Sequence, residues 1–334
     1  MAQYPAKRKE GGGRFAIRLI RTISLKLGRG VARPLLYPIT LYFYLRRPFE
    51  RRVSREFLAR AFGRPAGAVE VMRHIHRFAS TILDRIFLLA GDFSRFEVRI
   101  HGIDELISRI RPDKGVLLLG SHVGSFEVLR VAAAERRDAD LCVVLDRQQT
   151  PAMTQLLEAI NPQVGRMVID ASGDPMQLVL ALGEAIGRGQ VVAMLADRAR
   201  VGEATASVDF LGAPAAFPVA PFRIASVLQV PIVLCFGMYR GGKRYDLHFE
   251  LFADRLVLPR RGALVDLRCV VQQYVARIEH YVRDDPYNWF NWYDIWNSAE
   301  GAVDASEARV SDAEGRSVQA PSRPEVGRST GRRA

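Results

Sequence analysis

The pair His122 and Glu127 has the residue types and the spacing of an acid–base site. The run Gly120-Ser121-His122-Val123-Gly124-Ser125-Phe126-Glu127 lies where an apolar strand pattern gives way to a helical one. Five residues turn about 140° on a helix, so the two side chains can meet only if His122 precedes the helix and Glu127 begins it. Gly124 gives the backbone freedom for this bend, and we expect Ser125 as the helix N-cap.

A carboxylate beside an imidazole fixes its tautomer and raises its basicity. The positive end of the helix dipole would keep Glu127 ionised. We therefore predict His122 as a general base that Glu127 orients. A histidine and a glutamate also occur at this spacing by chance, and the spacing alone leaves that alternative open.

Further charged residues follow two other apolar runs. Arg147 comes after the run Leu141–Leu145, and Asp197 and Arg198 come after the run Gln190–Ala196. Because parallel strands end at one edge of a sheet, where ligands bind, we expect these residues to converge with His122 on an anion-binding rim. The alternative for each arginine is a solvated loop.

Strand and helix patterns alternate through the middle of the chain. The strand-like runs are Gly115–Gly120, Leu141–Leu145, Arg166–Asp170, Gln190–Ala196 and Pro231–Tyr239, and the helical patterns are Phe126–Glu135, Met153–Ile160, Met176–Ile186, Val219–Leu228 and Leu264–Val282. This alternation predicts an α/β fold with a mixed, largely parallel central sheet flanked by helices. Residues Arg240–Lys243 predict a hairpin turn, although Gly237, Gly242 and Lys243 match part of a phosphate-loop pattern.

Composition predicts four regions. Residues 1–13 form a basic, disordered leader, residues 14–48 a helical membrane-associating segment, residues 49–298 the catalytic domain and residues 299–334 a disordered tail. The second region is basic and amphipathic, then aromatic and apolar, which is typical of an interfacial anchor on an anionic leaflet. A helical pair docked on the core is the alternative. No run reaches the roughly 18 apolar residues of a membrane span.

The chain of 334 residues has a globular composition, with 49% hydrophobic residues, and a net charge of +12. The charge indicates an anionic partner, which could be nucleic acid, a membrane face or a phosphorylated substrate. Since no nucleic-acid reader motif is present, we expect no nucleic-acid partner. The three cysteines lie in apolar runs without metal-ligand spacing and are expected to be buried free thiols. We predict no metal site and no cofactor.

All three tryptophans lie in the segment Trp289–Trp296. Such a segment can close the core, form an interfacial aromatic belt or line an acyl groove. Core closure is the favoured interpretation.

Four blocks in order give the chain a family resemblance over about residues 95–296. They are His101–Leu106 followed by Gly120–Glu127, then Leu145-Asp146-Arg147, then Ala196-Asp197-Arg198 through Val208–Ala215 to Pro231–Val233, and finally Tyr287-Asn288-Trp289. In these blocks the chain resembles the lipid A late acyltransferases of the lysophospholipid acyltransferase-like superfamily. The block Gly120–Glu127 is similar to their His-x4-Asp/Glu motif. Two positions, Ser125-Phe126, differ from the Asn-Trp usual in lipid A enzymes.

The resemblance implies a glycerolipid acyltransferase-like fold and transfer of a fatty acyl chain to a hydroxyl of a (glyco)lipid. The donor would be a thioester of acyl carrier protein or CoA. His122 and Glu127 would be catalytic, and Ser125, Arg147, Asp197 and Arg198 would bind substrate. The resemblance also implies a location at the cytoplasmic face of a bacterial inner membrane. The alternatives are a glycerolipid, lysophospholipid or polyene-lipid acyltransferase with the same pair, and a non-enzymatic basic protein that binds membranes or nucleic acid.

Overall fold

The centre of the protein is a sheet of seven strands, seen in a computed structural model that describes residues 28–135, 140–148, 167–200, 202–258 and 263–296. The strands follow the order β1-β9-β8-β2-β5-β3-β4. Strands β8, β2, β5, β3 and β4 are parallel, while β9 is antiparallel to β8 and carries β1 parallel to itself. The predicted mixed, largely parallel sheet is confirmed. In chain order the strands of this sheet are β1 Glu97–His101, β2 Val116–Gly124, β3 Leu141–Leu145, β4 Val168–Asp170, β5 Val191–Leu195, β8 Ile232–Gly241 and β9 Arg244–Ala253, and a separate antiparallel hairpin is formed by β6 Thr205–Phe210 and β7 Ala213–Pro218.

Helices cover both faces of the sheet. They are α1 Leu36–Arg46, α2 Pro48–Phe62, α3 Ala68–Leu89, α4 Ile103–Ile107, α5 Leu129–Glu135, α6 Pro175–Gly187, α7 Ala220–Leu228 and α8 Ala263–Asp284. Alternate residues of β2 enter two different hydrophobic cores: Leu117 and Leu119 pack with α8, whereas Val116 and Leu118 pack with α3 and α5. Burial on both faces explains why β2 is a continuous apolar run instead of an alternating one.

Most of the predicted elements are present. All five strand-like runs contain strands, and the predicted hairpin turn joins β8 to β9. The predicted helix Phe126–Glu135 begins instead as a 3-10 turn, Phe126–Val128, ahead of α5. Strand β1 and the β6–β7 hairpin were not predicted. The predicted helix Met153–Ile160, the leader and the tail from residue 299 lie outside the described residues.

The described part of the predicted membrane-associating segment is helical at residues 28–32 and again in α1, which packs against α3. Its residues Leu36 and Thr40 are buried, and Arg29 forms an ion pair of 2.6 Å with Asp84 of α3. The opposite side is apolar and exposed, and consists of Val31, Leu35, Tyr37, Leu41, Tyr42 and Leu45. Among the described residues, no helix combines the length and the apolar character needed to cross a membrane.

Two other predictions can be checked against burial. Trp289, Phe290, Ile295 and Trp296 are buried, so the tryptophan-rich segment closes the core as predicted. The thiols of Cys142 and Cys235 are buried, but Cys269 is exposed on α8, contrary to prediction.

Candidate active site

His122 is held by Asp197. The distance from Nδ1 of His122 to Oδ1 of Asp197 is 2.8 Å, and the backbone N–H of His122 donates to the other carboxylate oxygen over 2.9 Å. Asp197 is completely buried, while the His122 side chain is 27% exposed. Asp197 therefore fixes both the ring and the backbone of His122, and Nε2 is left as the ring nitrogen that can take a proton.

Neighbouring strands bring these two residues together. Strand β2 carries His122 near its end, and Asp197 follows the adjacent parallel strand β5. The ladder continues past the strand because Ala196 N–H donates to the carbonyl of Gly120 over 3.0 Å. The predicted convergence at the carboxyl edge of the sheet thus occurs for this pair.

The C-terminal aromatic segment supports the pair from the other side. Phe290 N–H donates to the carbonyl of His122 over 2.8 Å, and the indole N–H of Trp289 lies 3.4 Å from Asp197 Oδ2. The hydroxyl of Tyr293 donates to the backbone carbonyl of Asp197 over 3.1 Å. Sequence reasoning assigned Trp289 to the core and gave Tyr293 no role. The block Tyr287-Asn288-Trp289 was the signal that could have identified Trp289, whereas no sequence signal pointed to Tyr293.

A buried histidine anchors this segment in turn. His74 of α3 is completely buried, and its Nε2 lies 2.9 Å from the carbonyl oxygen of Trp289. Its Nδ1 lies 2.9 Å from the hydroxyl of Ser54 on α2. Because a carbonyl only accepts, His74 carries its proton on Nε2 and accepts the Ser54 hydroxyl at Nδ1. Burial lowers the pKa of His74 to about 4, so the ring is neutral.

The electrostatics of the site favour a neutral imidazole and an ionised carboxylate. Burial lowers the pKa of His122, and the charge of Arg198 adds to this effect while Asp197 opposes it. Burial alone would raise the pKa of Asp197, but the charge and hydrogen bonds of His122, together with Arg198, hold that pKa below its ordinary value. An unprotonated imidazole with Nδ1–H directed at a carboxylate is the resting form of a general base.

Glu127 does not occupy the predicted position beside Nδ1. Its carboxylate oxygens lie 3.5 Å from Nε of Arg85 and 3.2 Å from Nε of Arg130. The prediction that Glu127 orients the imidazole is therefore corrected, since Asp197 holds Nδ1. The reason is local: β2 stays extended through Gly124, and the 3-10 turn then directs Glu127 towards α3, which carries Arg85.

Gly124 provides the bend that the sequence predicted. Its φ is +67°, and a Cβ at this position would lie 1.9 Å from the carbonyl oxygen of Gly237 on β8. Ser125 N–H donates to that same carbonyl over 2.8 Å. Ser125 occupies the N-cap position of the 3-10 turn, as predicted, but its side chain forms no capping hydrogen bond. Its hydroxyl is buried and has no hydrogen-bond partner among the described residues.

Arg198 lies directly beside the His122–Asp197 pair. Its Nη2 donates to the carbonyl of Phe290, and its guanidinium lies 5.8 Å from the ring centroid of Tyr293. Burial lowers the pKa of Arg198 from its ordinary value. Arg147 follows β3, two strands from β2, which places it about 10 Å farther along the edge. Its backbone N–H donates to Asp170 over 3.4 Å.

The six predicted site residues thus fall into three groups. His122, Asp197 and Arg198 meet at one place, with Asp197 buried beneath His122 instead of facing a substrate. Glu127 and Ser125 lie on the turn that follows, and Arg147 lies apart on the same edge. The group at His122 can remove a proton from an acceptor and can present a fixed positive charge beside it.

Comparison with known proteins identifies the family of the chain. No curated protein matches the chain. The family model for bacterial lipid A biosynthesis acyltransferases matches residues 15–297, which is most of the chain and includes every site residue named above. The chain therefore belongs to this family and is an acyltransferase of lipid metabolism.

Proposed function

We propose that the protein transfers a fatty acyl chain from a thioester to a hydroxyl of a glycolipid acceptor in lipid A biosynthesis, with His122 as general base. The observation that carries this proposal is the 2.8 Å contact between His122 Nδ1 and Asp197 Oδ1 in a member of this family. That contact leaves Nε2 as the basic nitrogen on a side chain that solvent and substrate can reach.

The proposed reaction needs no acyl-enzyme intermediate. Nε2 of His122 takes the proton of the acceptor hydroxyl while the hydroxyl oxygen attacks the thioester carbonyl carbon. The tetrahedral intermediate collapses with cleavage of the carbon–sulfur bond. The thiolate then receives the proton from Nε2, and the ester and a free thiol leave. Asp197 stabilises the imidazolium that exists between the two proton transfers.

Arg198 and Arg147 have different roles in this scheme. Arg198 is fixed by the Phe290 carbonyl beside His122, where a guanidinium stabilises negative charge on a phosphate or on the developing oxyanion. Arg147 lies farther along the same edge and suits a phosphate of the donor or acceptor at a distance from the reacting carbonyl. Ser125 remains a predicted substrate contact, although its hydroxyl is buried.

Glu127 acts on the charge around His122 instead of on the ring itself. Arg85 lowers the pKa of His122 through its charge, and the carboxylate of Glu127 lies 3.5 Å from the Nε of Arg85. Glu127 therefore offsets part of the positive field that would make the imidazole a weaker base. In this proposal it remains important for activity through Arg85 and Arg130.

The donor is a thioester of acyl carrier protein or CoA. Both are anionic, and a chain with a net charge of +12 attracts either one. Because such thioesters are cytoplasmic, we place the active site at the cytoplasmic face of the bacterial inner membrane. The exposed face of α1, with Tyr37, Leu41, Tyr42 and Leu45, would lie in the interfacial region of that leaflet.

The function is tested with purified protein, radiolabelled acyl-carrier-protein or acyl-CoA donors, and a lipid A precursor as acceptor. We expect acyl transfer to the precursor, and a loss of about 10²–10⁴-fold in kcat for His122→Ala with unchanged folding. Val227→Ala, at an exposed position of α7, serves as the control. A lysophospholipid acceptor forms the second arm. Transfer to it alone would reject the lipid A acceptor, and near-normal turnover by His122→Ala would reject the catalytic base.

Membrane docking is tested separately with liposomes that contain anionic phospholipid. Replacing Leu41 and Leu45 with Ser removes apolar side chains that are 51% and 61% exposed, so core packing is unaffected. If both insert in the leaflet, we expect at least a tenfold loss of liposome affinity, because each buried leucine contributes about 1.5–3 kcal/mol. Val227→Ser is the matched control. Equal binding of both variants would place the docking surface elsewhere.

A further inference from the structure

A group of metal-ligating side chains lies outside the acyl-transfer site, on strands β1 and β9. His101 on β1 pairs in register with His248 on β9. Asp246 precedes His248 by two residues, so both side chains point to the same face of the sheet. One potential ligand atom from each of the three residues lies within 4.8 Å of the other two.

The environment of His248 favours a bound ligand. Its Nε2 is buried and has no hydrogen-bond partner within the part of the chain that the structure describes. A buried ring nitrogen without a partner is costly unless something binds it. The ring stacks on His101, with a centroid distance of 4.6 Å and an interplanar angle of 12°.

The backbone and a neighbouring arginine fix the other two groups. Gly102 follows His101 with φ of +69°, and a Cβ there would lie 2.2 Å from the carbonyl oxygen of Phe249. This close approach fixes the end of β1 against β9. Nε of Arg240 donates to Oδ2 of Asp246 over 2.8 Å. Outer hydrogen bonds of this kind orient a ligating carboxylate and leave its second oxygen for the ion.

We propose that His101, Asp246 and His248 bind a divalent transition-metal ion, and that Zn²⁺ is the ion that suits them. Two imidazole nitrogens and one carboxylate oxygen form a common zinc donor set, with water as the fourth ligand. Bond lengths of about 2.0–2.2 Å require the donor atoms to approach each other more closely than the 4.8 Å limit, which side-chain rotation achieves.

The proposed ion would be structural. Within the described residues, strand β1 is at the edge of the sheet and pairs with β9 alone, so ligands on both strands would cross-link that edge. Strand β9 is two strands away from β2, which carries His122, a distance of about 10 Å. The acyl-transfer steps therefore do not pass through this ion, and its loss would lower stability before it lowered activity.

The experiment uses the full chain after chelator treatment, with Co²⁺ titrated by absorption spectroscopy and Zn²⁺ by equilibrium dialysis. We expect one ion per chain, the intense visible bands of tetrahedral Co²⁺ and a rise in Tm of several degrees with excess Zn²⁺. His101→Ala and Asp246→Asn should each weaken binding at least tenfold. His280→Ala, which removes an exposed histidine of α8 outside this group, is the matched control and should bind like the wild type.

His101 is exposed, so its variant is expected to fold, and equal Tm values without metal will verify this. The proposal is overturned if the wild type takes up no stoichiometric ion. It is also overturned if His101→Ala binds with wild-type affinity. Loss of binding in His122→Ala alone would assign the ion to the other site and likewise overturn the proposal.

Discussion

Nδ1 of His122 lies 2.8 Å from Oδ1 of Asp197, a residue 75 positions later in the chain, and the backbone N–H of His122 bonds to the second oxygen of the same carboxylate. Both oxygens are therefore used to fix a single residue. Because Asp197 is completely buried, its only route to the reaction is through the imidazole. Asp197 is a positioning residue for the proposed base.

Asp197→Asn tests this relationship. An amide of the same shape can present an N–H to Nδ1, which would reverse the tautomer and place the ring proton on Nε2, where the base must be free. We expect kcat to fall by about 10²–10⁴-fold, with KM for the acceptor little changed. Single-turnover acyl transfer measures this. A fall in kcat below tenfold in a folded variant would show that Asp197 does not set the tautomer.

The acid limb of the pH–rate profile should reflect the unusual environment of His122. Burial and Arg198 lower the pKa of His122 below its ordinary 6.5. Since the neutral ring is the active form of the proposed base, kcat/KM should stay high at pH 6.5 and fall only as the pH passes below that value. Asp197→Asn removes the carboxylate charge that raises the pKa of His122, so the acid limb of this variant should lie at still lower pH. A wild-type limb above pH 6.5 would contradict this assignment.

Glu127→Gln should behave differently from Asp197→Asn. The glutamine keeps the tautomer of His122 intact but leaves the charges of Arg85 and Arg130 without their carboxylate. We expect a moderate loss of kcat, smaller than that of Asp197→Asn, and a lower pKa on the acid limb. Loss of a partly buried ion pair should also reduce the free energy of unfolding by about 2 kcal/mol.

Urea denaturation and the pH–rate profile measure the two effects of Glu127→Gln separately. Glu105→Gln is the control. Because Glu105 forms an exposed ion pair with Arg109, this substitution should change the free energy of unfolding little. If Glu127→Gln loses more kcat than Asp197→Asn, Glu127 has the direct role that the sequence motif first suggested.

The sheet could be predicted from the sequence because its central strands are buried on both faces. A run such as Val116–Leu119 is apolar throughout, which is the pattern of a strand covered on both faces. Strand β1 escaped prediction because it is short and lies at the edge, where Glu97, Arg99 and His101 are exposed. The β6–β7 hairpin was not predicted because Ala213–Pro218 contains two prolines and three alanines, which are poor strand formers.

His122, Asp197 and Arg198 were predictable as residues of the site, but their pairings and the contacts of Trp289 and Tyr293 with Asp197 were not. Spacing identified His122, and the position after β5 identified Asp197 and Arg198. Which carboxylate meets the imidazole depends on the length of β2 beyond Gly120 and on the direction of the 3-10 turn at Phe126. Both are set by tertiary contacts, such as the close approach of Gly124 to Gly237 on β8. A contact of this kind leaves no pattern within a single stretch of sequence.

The anchor at His74 predicts a loss of stability in mild acid. The pKa of this ring is about 4 in the folded protein and about 6.5 in the unfolded chain. Between these values the unfolded state binds a proton that the folded state does not, so the free energy of unfolding falls as the pH drops from 6.5 to 4. The shift of about 2.5 units corresponds to about 3 kcal/mol.

Urea unfolding of His74→Gln between pH 4 and pH 7 measures this contribution. The variant lacks the titrating ring, so its free energy of unfolding should depend on pH less steeply than that of the wild type, by up to about 1.4 kcal/mol per pH unit. It should also be less stable at pH 7, because Ser54 and the Trp289 carbonyl lose an ideally placed partner. His280→Gln, at an exposed histidine, should keep the wild-type slope. Equal slopes for His74→Gln and the wild type would mean that folding does not lower the pKa of His74. The buried, neutral link from α2 through His74 to Trp289 and the His122–Asp197 pair would then be wrong.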